Sequence, residues 1–336
     1  MRRVMRRLMR WLRASGAFRS TRRSVLVAVC IATSAGLMIS VLSGSARLEQ
    51  GTRRARSATA TVEAAPSVPL GQNARHQSIF TAAPSTTKGF VTREYSDPSG
   101  ASMVYYLYIP PAVSVEATAG RATRFPVVLL LHGVGEFARA SSTPEQNRDR
   151  ILDDPYVNLW SSDKVQGSWP SFIIVPQALS PNRWVDAPPH VTSYNLSNTP
   201  AISLTLAHEI LQATLTQYAA SIDSQRVYVT GISMGAFGVW DTIERWPDEF
   251  AAAAPVSGAG DPSMASVLTN MPIWAFHGAQ DTTLPVASSL EMITAITAAG
   301  GHPRLTEIPG AQHVIWTTVY SNTTFLAWLF AQRAPA

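Results

Sequence analysis

Residues 227–238 read VYVTGISMGAFG, a pattern that predicts a strand, a tight turn and a helix. Its first four residues are β-branched or aromatic, which suits a buried strand, and apolar residues at helical spacing follow from Phe237 onward. Between them Gly231, Ser233 and Gly235 form a G-x-S-x-G pattern, in which glycine leaves room for the backbone to double back. We expect Ser233 to stand on a strained strand-to-helix turn that exposes its hydroxyl. The alternative is a glycine-rich turn with a capping serine.

A serine hydroxyl is a weak nucleophile unless a base accepts its proton and an acid orients that base. Asp281 follows a predicted strand over residues 272–276, and His313 lies between the last predicted strand and the last predicted helix. Loops at strand ends are where open parallel sheets place function. Asp281 and His313 are therefore the candidate acid and base. As alternatives, Asp281 could cap a helix, His313 could be a surface histidine, and Asp261 is a competing acid.

The tetrahedral intermediate of acyl transfer needs N–H donors for its negatively charged oxygen. We expect one donor to be the backbone N–H of Met234, directly after the candidate nucleophile. The second should come from the loop after the apolar run 125–131, where Val134 is the first choice. Gly135 is the alternative donor and a candidate substrate-binding residue, because a glycine lets the backbone approach a ligand closely. Trp184 is expected to wall the substrate pocket, with surface packing as its alternative role.

Three other histidines are not expected to take part in catalysis. His132 precedes a glycine at a strand end and is expected to brace that loop by hydrogen bonding, and His277 is also a structural candidate. His208 and Glu209 begin an H-E-x-x-H zinc pattern, but position 212 is glutamine and no other ligand cluster accompanies it. We therefore expect no metal and no other cofactor.

Positive charge is concentrated at the N-terminus. Residues 1–56 hold thirteen arginines and one acidic residue, Glu49, whereas the rest of the 336-residue chain holds 14 basic and 21 acidic side chains. The main body is therefore acidic, and we expect no nucleic-acid partner. The single cysteine, Cys30, excludes an intrachain disulfide.

The N-terminal segment is predicted to act as a membrane signal. Residues 25–42 carry no charge and as a helix would extend roughly 27 Å, enough to cross a bilayer core. The preceding arginines favour a cytoplasmic N-terminus, so the body should face outside the cytoplasm. A retained anchor and a cleaved signal peptide are both open, and the small residues of Gly44-Ser45-Ala46 offer a cleavage site that would release the body by secretion.

The chain is predicted to contain four segments. They are a basic cytoplasmic tail at residues 1–23, a signal anchor or signal peptide at 24–43, a flexible linker at 44–87 and a catalytic domain at 88–333. The linker is rich in Ala, Ser, Thr and Pro and has almost no large apolar residues.

Strands and helices alternate along the predicted domain. A β-hairpin is predicted over residues 89–110, and the later strands are predicted at 125–131, 171–177, 226–230, 251–256, 272–276 and 305–308. Helices are predicted at 199–220, 284–299 and 321–333, with a further helix near 149–154 in an otherwise irregular region. This order predicts a mostly parallel central sheet with an N-terminal antiparallel hairpin and helices on both faces.

Together these motifs resemble the α/β-hydrolases, especially the phospholipase/carboxylesterase and feruloyl-esterase-like branch, which includes polyhydroxybutyrate-depolymerase-like proteins and predicted peptidases. The resemblance runs from about Phe90 to Phe330. Its marks are LHGVGE at 131–136, VPQ at 175–177, ID at 222–223, GISMG at 231–235, WPDEFAAAAP at 246–255, HGAQD at 277–281 and HVIW at 313–316. It implies that Ser233 is the nucleophile, Asp281 the acid and His313 the base. The chain departs from many relatives at position 236, where Ala236 stands in place of a second glycine.

The leading hypothesis is a serine hydrolase that cleaves small-molecule or polymer-linked carboxylic esters through an acyl-enzyme. A serine peptidase of the same fold is the alternative, and a membrane-anchored binding protein that lost its chemistry is a third. The segments 137–168 and 186–200 are candidate covers of the pocket.

Overall fold

The computed structural model describes residues 86–335, and nine strands of this part form one sheet. The strands are β1 Thr86–Thr87, β2 Phe90–Ser96, β3 Ser102–Tyr108, β4 Phe125–Leu131, β5 Phe172–Pro176, β6 Ile222–Ile232, β7 Ala252–Val256, β8 Trp274–Gly278 and β9 Arg304–Ile308. Their order across the sheet is β1-β2-β3-β5-β4-β6-β7-β8-β9. The pairs from β1 to β5 are antiparallel, and every pair from β5 to β9 is parallel.

Helices cover both faces of the sheet. They are α1 Ala112–Thr118, α2 Pro144–Leu152, α3 Pro155–Ser161, α4 Asp163–Ser168, α5 Ile202–Gln217, α6 Met234–Arg245, α7 Ala287–Ala298, α8 Trp316–Tyr320 and α9 Thr323–Ala331. Short 3-10 helices lie at Val134–Glu136, Pro247–Glu249 and Pro262–Leu268. One apolar core lies under α5, α6 and α7, and a second lies under α2, α3, α8 and α9. The predicted fold class is confirmed.

The predicted hairpin is confirmed and forms the antiparallel side of the sheet. β2 and β3 pair from Phe90 opposite Tyr108 to Ser96 opposite Ser102. The turn is held by Asp97, whose carboxylate accepts the backbone N–H groups of Ser99 and Ala101. β4, predicted from its continuous apolar run, is buried along its whole length between the two cores.

The region 137–168 differs from the sequence-based prediction. It contains three helices, α2, α3 and α4, where a single helix near 149–154 is predicted. α2 begins in a capping box in which Thr143 and Gln146 exchange side-chain and backbone hydrogen bonds. Only its last two residues, Ile151 and Leu152, are buried, so its apolar periodicity is weak.

The predicted tail and anchor, and all but the last two residues of the predicted linker, lie outside the described residues. Between residues 86 and 335, no helix combines the length and the apolar character that a membrane span requires. The division of the chain into four segments stays a prediction.

Candidate active site

The candidate nucleophile stands on a tight turn between a strand and a helix. β6 ends at Ile232, α6 begins at Met234, and Ser233 between them has φ 50° and ψ −117°. This left-handed φ is strained for a serine. The turn depends on Gly235, because a Cβ atom there would lie 2.0 Å from the backbone oxygen of Leu131 in the neighbouring strand.

Three side chains that the sequence predicts as a triad form a continuous hydrogen-bonded series. Nε2 of His313 lies 2.9 Å from the Ser233 Oγ. Nδ1 of the same ring lies 2.6 Å from Oδ2 of Asp281. Asp281 follows β8 and His313 follows β9, so the parallel strands bring all three loops to the carboxyl end of the sheet.

The Asp281 carboxylate is surrounded by N–H donors. Its Oδ1 accepts the backbone N–H groups of Thr283 and Leu284, each at 2.9 Å. Its Oδ2 lies 3.2 Å from Nε2 of His277 as well as facing His313. The following helix, α7, begins only at Ala287, so Asp281 holds a turn and does not cap a helix.

Asp261, the competing acid, is engaged elsewhere. Its carboxylate accepts the backbone N–H of Leu196 at 2.6 Å and that of Ser263 at 2.9 Å, where it caps a 3-10 helix. His277 is fully buried, and Nδ1 lies 2.8 Å from the Ser289 hydroxyl. Burial lowers the pKa of His277, which keeps its imidazole neutral beside Asp281.

The residues predicted as oxyanion donors lie around the same pocket as Ser233. Met234 opens α6, and Val134 and Gly135 belong to the 3-10 helix that follows β4. All three line the pocket. Their role as donors stays a prediction.

Trp184 does not wall the pocket, and its predicted role in substrate binding is wrong. Its side chain is fully buried, and its Nε1–H donates to the backbone oxygen of His132 at 2.8 Å. The His132 ring stands edge-on to it, with 5.0 Å between ring centroids. Trp184 therefore fastens its loop to the end of β4, and its neighbour Arg183 reaches the pocket instead.

His132 braces the loop after β4. Its Nε2 accepts the backbone N–H of Ala178 at 3.0 Å, so Nδ1 carries the proton and donates to the backbone oxygen of Gly133 at 2.6 Å. Burial lowers the pKa of His132 to about 4. The ring is thus a neutral structural link between the loops after β4 and β5.

The pocket has a volume of about 320 Å³. It is lined by Gly133, Val134, Gly135, Glu136, Arg183, Pro189, His190, Ile232, Ser233, Met234, Phe237, Thr283, Leu284, His313 and Trp316. Glu136, Arg183, His190 and Trp316 are lining residues that are not predicted from the sequence. Trp316 and Glu136 belong to motifs already quoted, whereas no local motif marks Arg183.

The Glu136 carboxyl lies behind the candidate oxyanion loop. One of its oxygens has no hydrogen-bond partner within residues 86–335 and lies 3.2 Å from where a Cβ atom of Gly133 would stand. Burial, and to a smaller extent the nearby Asp154 carboxylate, raises the pKa of Glu136 to about 7.

One pocket wall is a long loop, residues 177–201, between β5 and α5. We call it the wall loop. Its backbone is tied to the body of the domain: the Leu196 N–H donates to Asp261, and the Ser197 oxygen accepts from Arg245 at 2.8 Å. His190 Nδ1 lies 2.8 Å from the backbone oxygen of Thr283. The segment 186–200, a candidate cover, is thus hydrogen-bonded to the body of the domain and forms part of the pocket wall. The other candidate cover, 137–168, contributes no residue to the pocket.

Ala236 fits at its position because the residue that faces it, Gly258 just after β7, has no side chain. A Cβ atom on Gly258 would lie 2.3 Å from the Cβ of Ala236, so glycine on the opposite side supplies the space. Beside it, the Ser257 hydroxyl donates to the backbone oxygen of His313 at 3.3 Å.

The incomplete zinc pattern has a structural explanation. The ring of His208 stacks on Trp246 at 3.8 Å between centroids, and its Nε2 lies 2.8 Å from the Glu249 carboxylate. Gln212 donates to the same carboxylate. Among residues 86–335, no group of three potential ligands is placed to hold a metal ion.

Residues 199–319 match the Dienelactone hydrolase family. A curated "Uncharacterized secreted protein" of Arthroderma benhamiae is 23% identical over 255 residues, which cover 67% of this chain and 25% of that protein. The chain thus spans a quarter of the length of this relative.

Solved structures share the architecture. A thermostable esterase is 28% identical with a TM-score of 0.61, and the match covers 73% of this chain and 63% of the esterase. The feruloyl esterase module of Clostridium thermocellum, solved as a mutant with sinapinate, is 17% identical with a TM-score of 0.51, over 75% of this chain and 94% of that module. The sheet order, the turn at Ser233 and these similarities agree: the chain has the α/β-hydrolase fold.

Proposed function

We propose that this protein is a serine hydrolase of carboxylic esters that works through an acyl-enzyme. The observation that carries the proposal is the series of two hydrogen bonds from Ser233 through His313 to Asp281, of 2.9 and 2.6 Å. Val134 and Met234, the proposed oxyanion donors, line the pocket around it. The 28% identity to a thermostable esterase supports the same reaction class.

In the first half-reaction, the Ser233 hydroxyl attacks the ester carbonyl carbon while Nε2 of His313 accepts its proton. Asp281 accepts a hydrogen bond from Nδ1–H of His313 and stabilises the imidazolium that forms. The carbonyl oxygen becomes an oxyanion, which the N–H groups of Met234 and Val134 stabilise. The intermediate then expels the alcohol, which takes the proton from Nε2, and the acyl group remains on Ser233.

In the second half-reaction, water takes the place of the alcohol. His313 Nε2 accepts a proton from water as the water oxygen attacks the acyl carbon. The second intermediate collapses to the carboxylic acid, and the proton on Nε2 returns to the Ser233 oxygen. The buried Asp281 keeps the same ring orientation for both proton transfers.

The serine variant tests the proposal directly. We expect Ser233→Ala to lower kcat/KM on short p-nitrophenyl esters by at least about 10⁴-fold, because it removes the nucleophile. A fluorophosphonate probe should label the wild-type protein and not this variant. Ser266 is exposed on a 3-10 helix, so Ser266→Ala is the matched control and should keep both properties. Equal ester turnover by wild type and Ser233→Ala would refute the proposal, and failure of the probe would favour a binding protein.

The serine-peptidase alternative is separated by paired substrates. Matched p-nitrophenyl acetate and p-nitroacetanilide present the same acyl group to Ser233 with an alcohol or an amine leaving group. We expect the ester alone to turn over at a measurable rate. Comparable rates on both would replace the esterase by a peptidase.

We also propose that the catalytic domain acts outside the cytoplasm. The sequence of residues 1–43 supports this, and so does the name of the Arthroderma benhamiae relative, a secreted protein. Sequencing the N-terminus of the mature protein decides between the two routes. A mature start at Arg47 indicates cleavage, whereas retention of residues 1–43 indicates an anchor.

A further inference from the structure

The His277 ring lies behind the candidate triad, on the side away from the substrate pocket. It belongs to β8, is fully buried and is not one of the residues that line the pocket. Its Nε2 lies 3.2 Å from Oδ2 of Asp281, the same oxygen that faces His313 at 2.6 Å. An influence of this ring on ester hydrolysis therefore has to pass through the Asp281 carboxylate.

The contacts of the His277 ring determine which of its nitrogens carries the proton. Nε2 lies 2.9 Å from the backbone oxygen of Leu284 as well as 3.2 Å from the Asp281 carboxylate, and both of these groups only accept hydrogen bonds. Nε2 therefore carries the proton. Nδ1 of the neutral ring then accepts from the Ser289 hydroxyl at 2.8 Å. The backbone oxygen of Gly258, at 3.3 Å, is the longer contact for that single hydroxyl proton.

The bond from His277 completes the set of donors around the buried Asp281 carboxylate. Oδ1 accepts the backbone N–H groups of Thr283 and Leu284. Oδ2 accepts from His313 and from His277. An ionised carboxylate offers about four acceptor sites, and a buried one loses stability where a site is left empty. The other three bonds already orient the carboxylate, so the bond from His277 acts chiefly on the charge of Oδ2.

A neutral donor suits this place better than a cation does. A neutral N–H group stabilises an ionised carboxylate and leaves its negative charge in place. That charge stabilises the imidazolium of His313 in the proposed reaction, whereas a cation bound to Asp281 would cancel it. Burial, and to a smaller extent the His313 ring, lowers the pKa of His277, which favours the neutral ring.

Building on the proposed ester hydrolysis, we propose that His277 is a positioning residue: its hydrogen bond to Asp281 limits how strongly His313 holds a proton on Nε2. Ser289 keeps the ring in the donating tautomer, so the hydrogen-bonded series that begins at Ser233 continues through β8 into α7. Without the bond, more of the Asp281 charge is directed at Nδ1–H of His313. His313 then stays protonated to a higher pH and is less available as the base.

Two substitutions at His277 separate the roles of its two nitrogens. His277→Gln places an amide N–H near the position of Nε2 and can still donate to Asp281. His277→Asn reaches only the position of Nδ1 and leaves Oδ2 without this donor. The pH dependence of kcat/KM on p-nitrophenyl acetate, between about pH 5 and 9, reports the unprotonated fraction of His313. The matched control is His302→Asn, because His302 is exposed and precedes the amino end of β9, opposite to the pocket.

We expect His277→Asn to move the acid limb of this profile up by about 0.5–1 pH unit, which lowers kcat/KM on that limb by about three- to ten-fold. The plateau at higher pH and KM should stay near wild type, since His277 does not touch the pocket. Ser289→Ala should shift the limb the same way by less, because a ring without a donor on Nδ1 donates more weakly. His277→Gln should keep most of the wild-type profile, and His302→Asn all of it.

Other charged or titratable side chains lie in the pocket wall, on β9 and on α7: Glu136, Arg183, His190, Glu307 and Glu291. Glu307 stands opposite His277 in the sheet, but both Glu307 and Glu291 are exposed, where water and salt screen their charges. None of the five differs between wild type and the His277 variants. A change in the profile therefore reports the substituted ring.

A second measurement needs no variant. Nitrogen-15 NMR of histidine-labelled wild type should show His277 as the neutral Nε2–H tautomer at neutral pH, and an Nδ1–H tautomer would overturn the inference. So would a His277→Asn protein that melts like wild type and keeps the wild-type profile, or equal shifts in His277→Asn and His277→Gln, which would make the ring a packing residue. These results leave the esterase proposal untouched, because that proposal fails only if Ser233→Ala hydrolyses p-nitrophenyl acetate as wild type does.

Discussion

At the scale of single residues, Asp281 determines how His313 can act. It accepts N–H bonds from Thr283, Leu284 and His313 and lies 3.2 Å from Nε2 of His277. Because an ionised carboxylate only accepts, it keeps the proton of His313 on Nδ1 and leaves Nε2 free to accept from Ser233. The carboxylate thus fixes both the tautomer and the direction of the ring.

We predict that Asp281→Asn lowers kcat on p-nitrophenyl acetate by about 10³- to 10⁴-fold, because an amide can donate to Nδ1 and favour the wrong tautomer. Steady-state kinetics at constant pH measure the loss. Asp261→Asn is the matched control: it weakens the cap at Ser263 and should lower the melting temperature while kcat stays near wild type. A larger kcat loss in Asp261→Asn than in Asp281→Asn would reverse the assignment of the acid.

The three triad candidates could be found from the sequence because each lies next to a recognisable strand end. Their meeting follows from the parallel order of β6, β8 and β9. The wall of the pocket could not be found that way. Trp184 points inward and donates a hydrogen bond to His132, 52 positions away, while its neighbour Arg183 lines the pocket. Local sequence carries no sign of a pairing at that distance.

At the scale of secondary-structure elements, the turn between β6 and α6 depends on how closely α6 approaches β4. A Cβ atom at Gly235 would lie 2.0 Å from the Leu131 oxygen and 2.8 Å from that of His132. These are backbone atoms of a fully buried strand end, so they cannot move aside as a side chain could.

We predict that Gly235→Ala destabilises the domain by at least about 3 kcal/mol, because the added methyl group overlaps fixed backbone atoms. Urea unfolding of the two proteins measures the difference. Gly167→Ala is the matched control: Gly167 lies on the exposed side of α4, where nothing stands within 4 Å of the added Cβ. That change should stabilise by about 0.5–1 kcal/mol, and similar effects at both positions would contradict the close approach.

Apolar periodicity predicts the long buried elements well and the short polar ones poorly. α5 is predicted at 199–220 and runs from Ile202 to Gln217, since its buried face repeats every three to four residues. α2, α3 and α4 bury few residues each and are specified at their ends instead. Their N-caps are the side chains of Thr143, Asp154 and Ser162. Capping signals, rather than periodicity, mark such helices.

At the scale of the whole molecule, stability depends on pH through groups buried beside the active site. The Glu136 carboxyl has a pKa of about 7 in the folded protein because it is buried, against an ordinary value of 4.5. The folded state therefore holds this proton more tightly than the unfolded state. The contribution of the Glu136 carboxyl to the free energy of unfolding is fully present below pH 4.5 and is lost as the pH rises through 7.

We predict that Glu136→Gln gains stability relative to wild type as the pH rises from 5 to 8, by about 2–3 kcal/mol, because the amide has no charge to bury. Urea unfolding of both proteins at several pH values gives this difference and cancels the contribution of other groups, such as His132. Glu307→Gln, on the exposed edge strand β9, should follow the wild-type profile. A Glu136→Gln difference that does not change with pH would contradict the raised pKa.

The wall loop keeps its shape through backbone hydrogen bonds and through Trp184, which faces away from the cavity. The side chains at positions 183 and 189 contribute to the pocket surface without being among these fastenings. On the proposed function, we therefore expect Ser233, His313 and Asp281 to cleave the ester bond and the wall loop to help select the substrate. We expect substitutions at those two positions to change substrate selectivity while the fold and the arrangement of Ser233, His313 and Asp281 stay as they are.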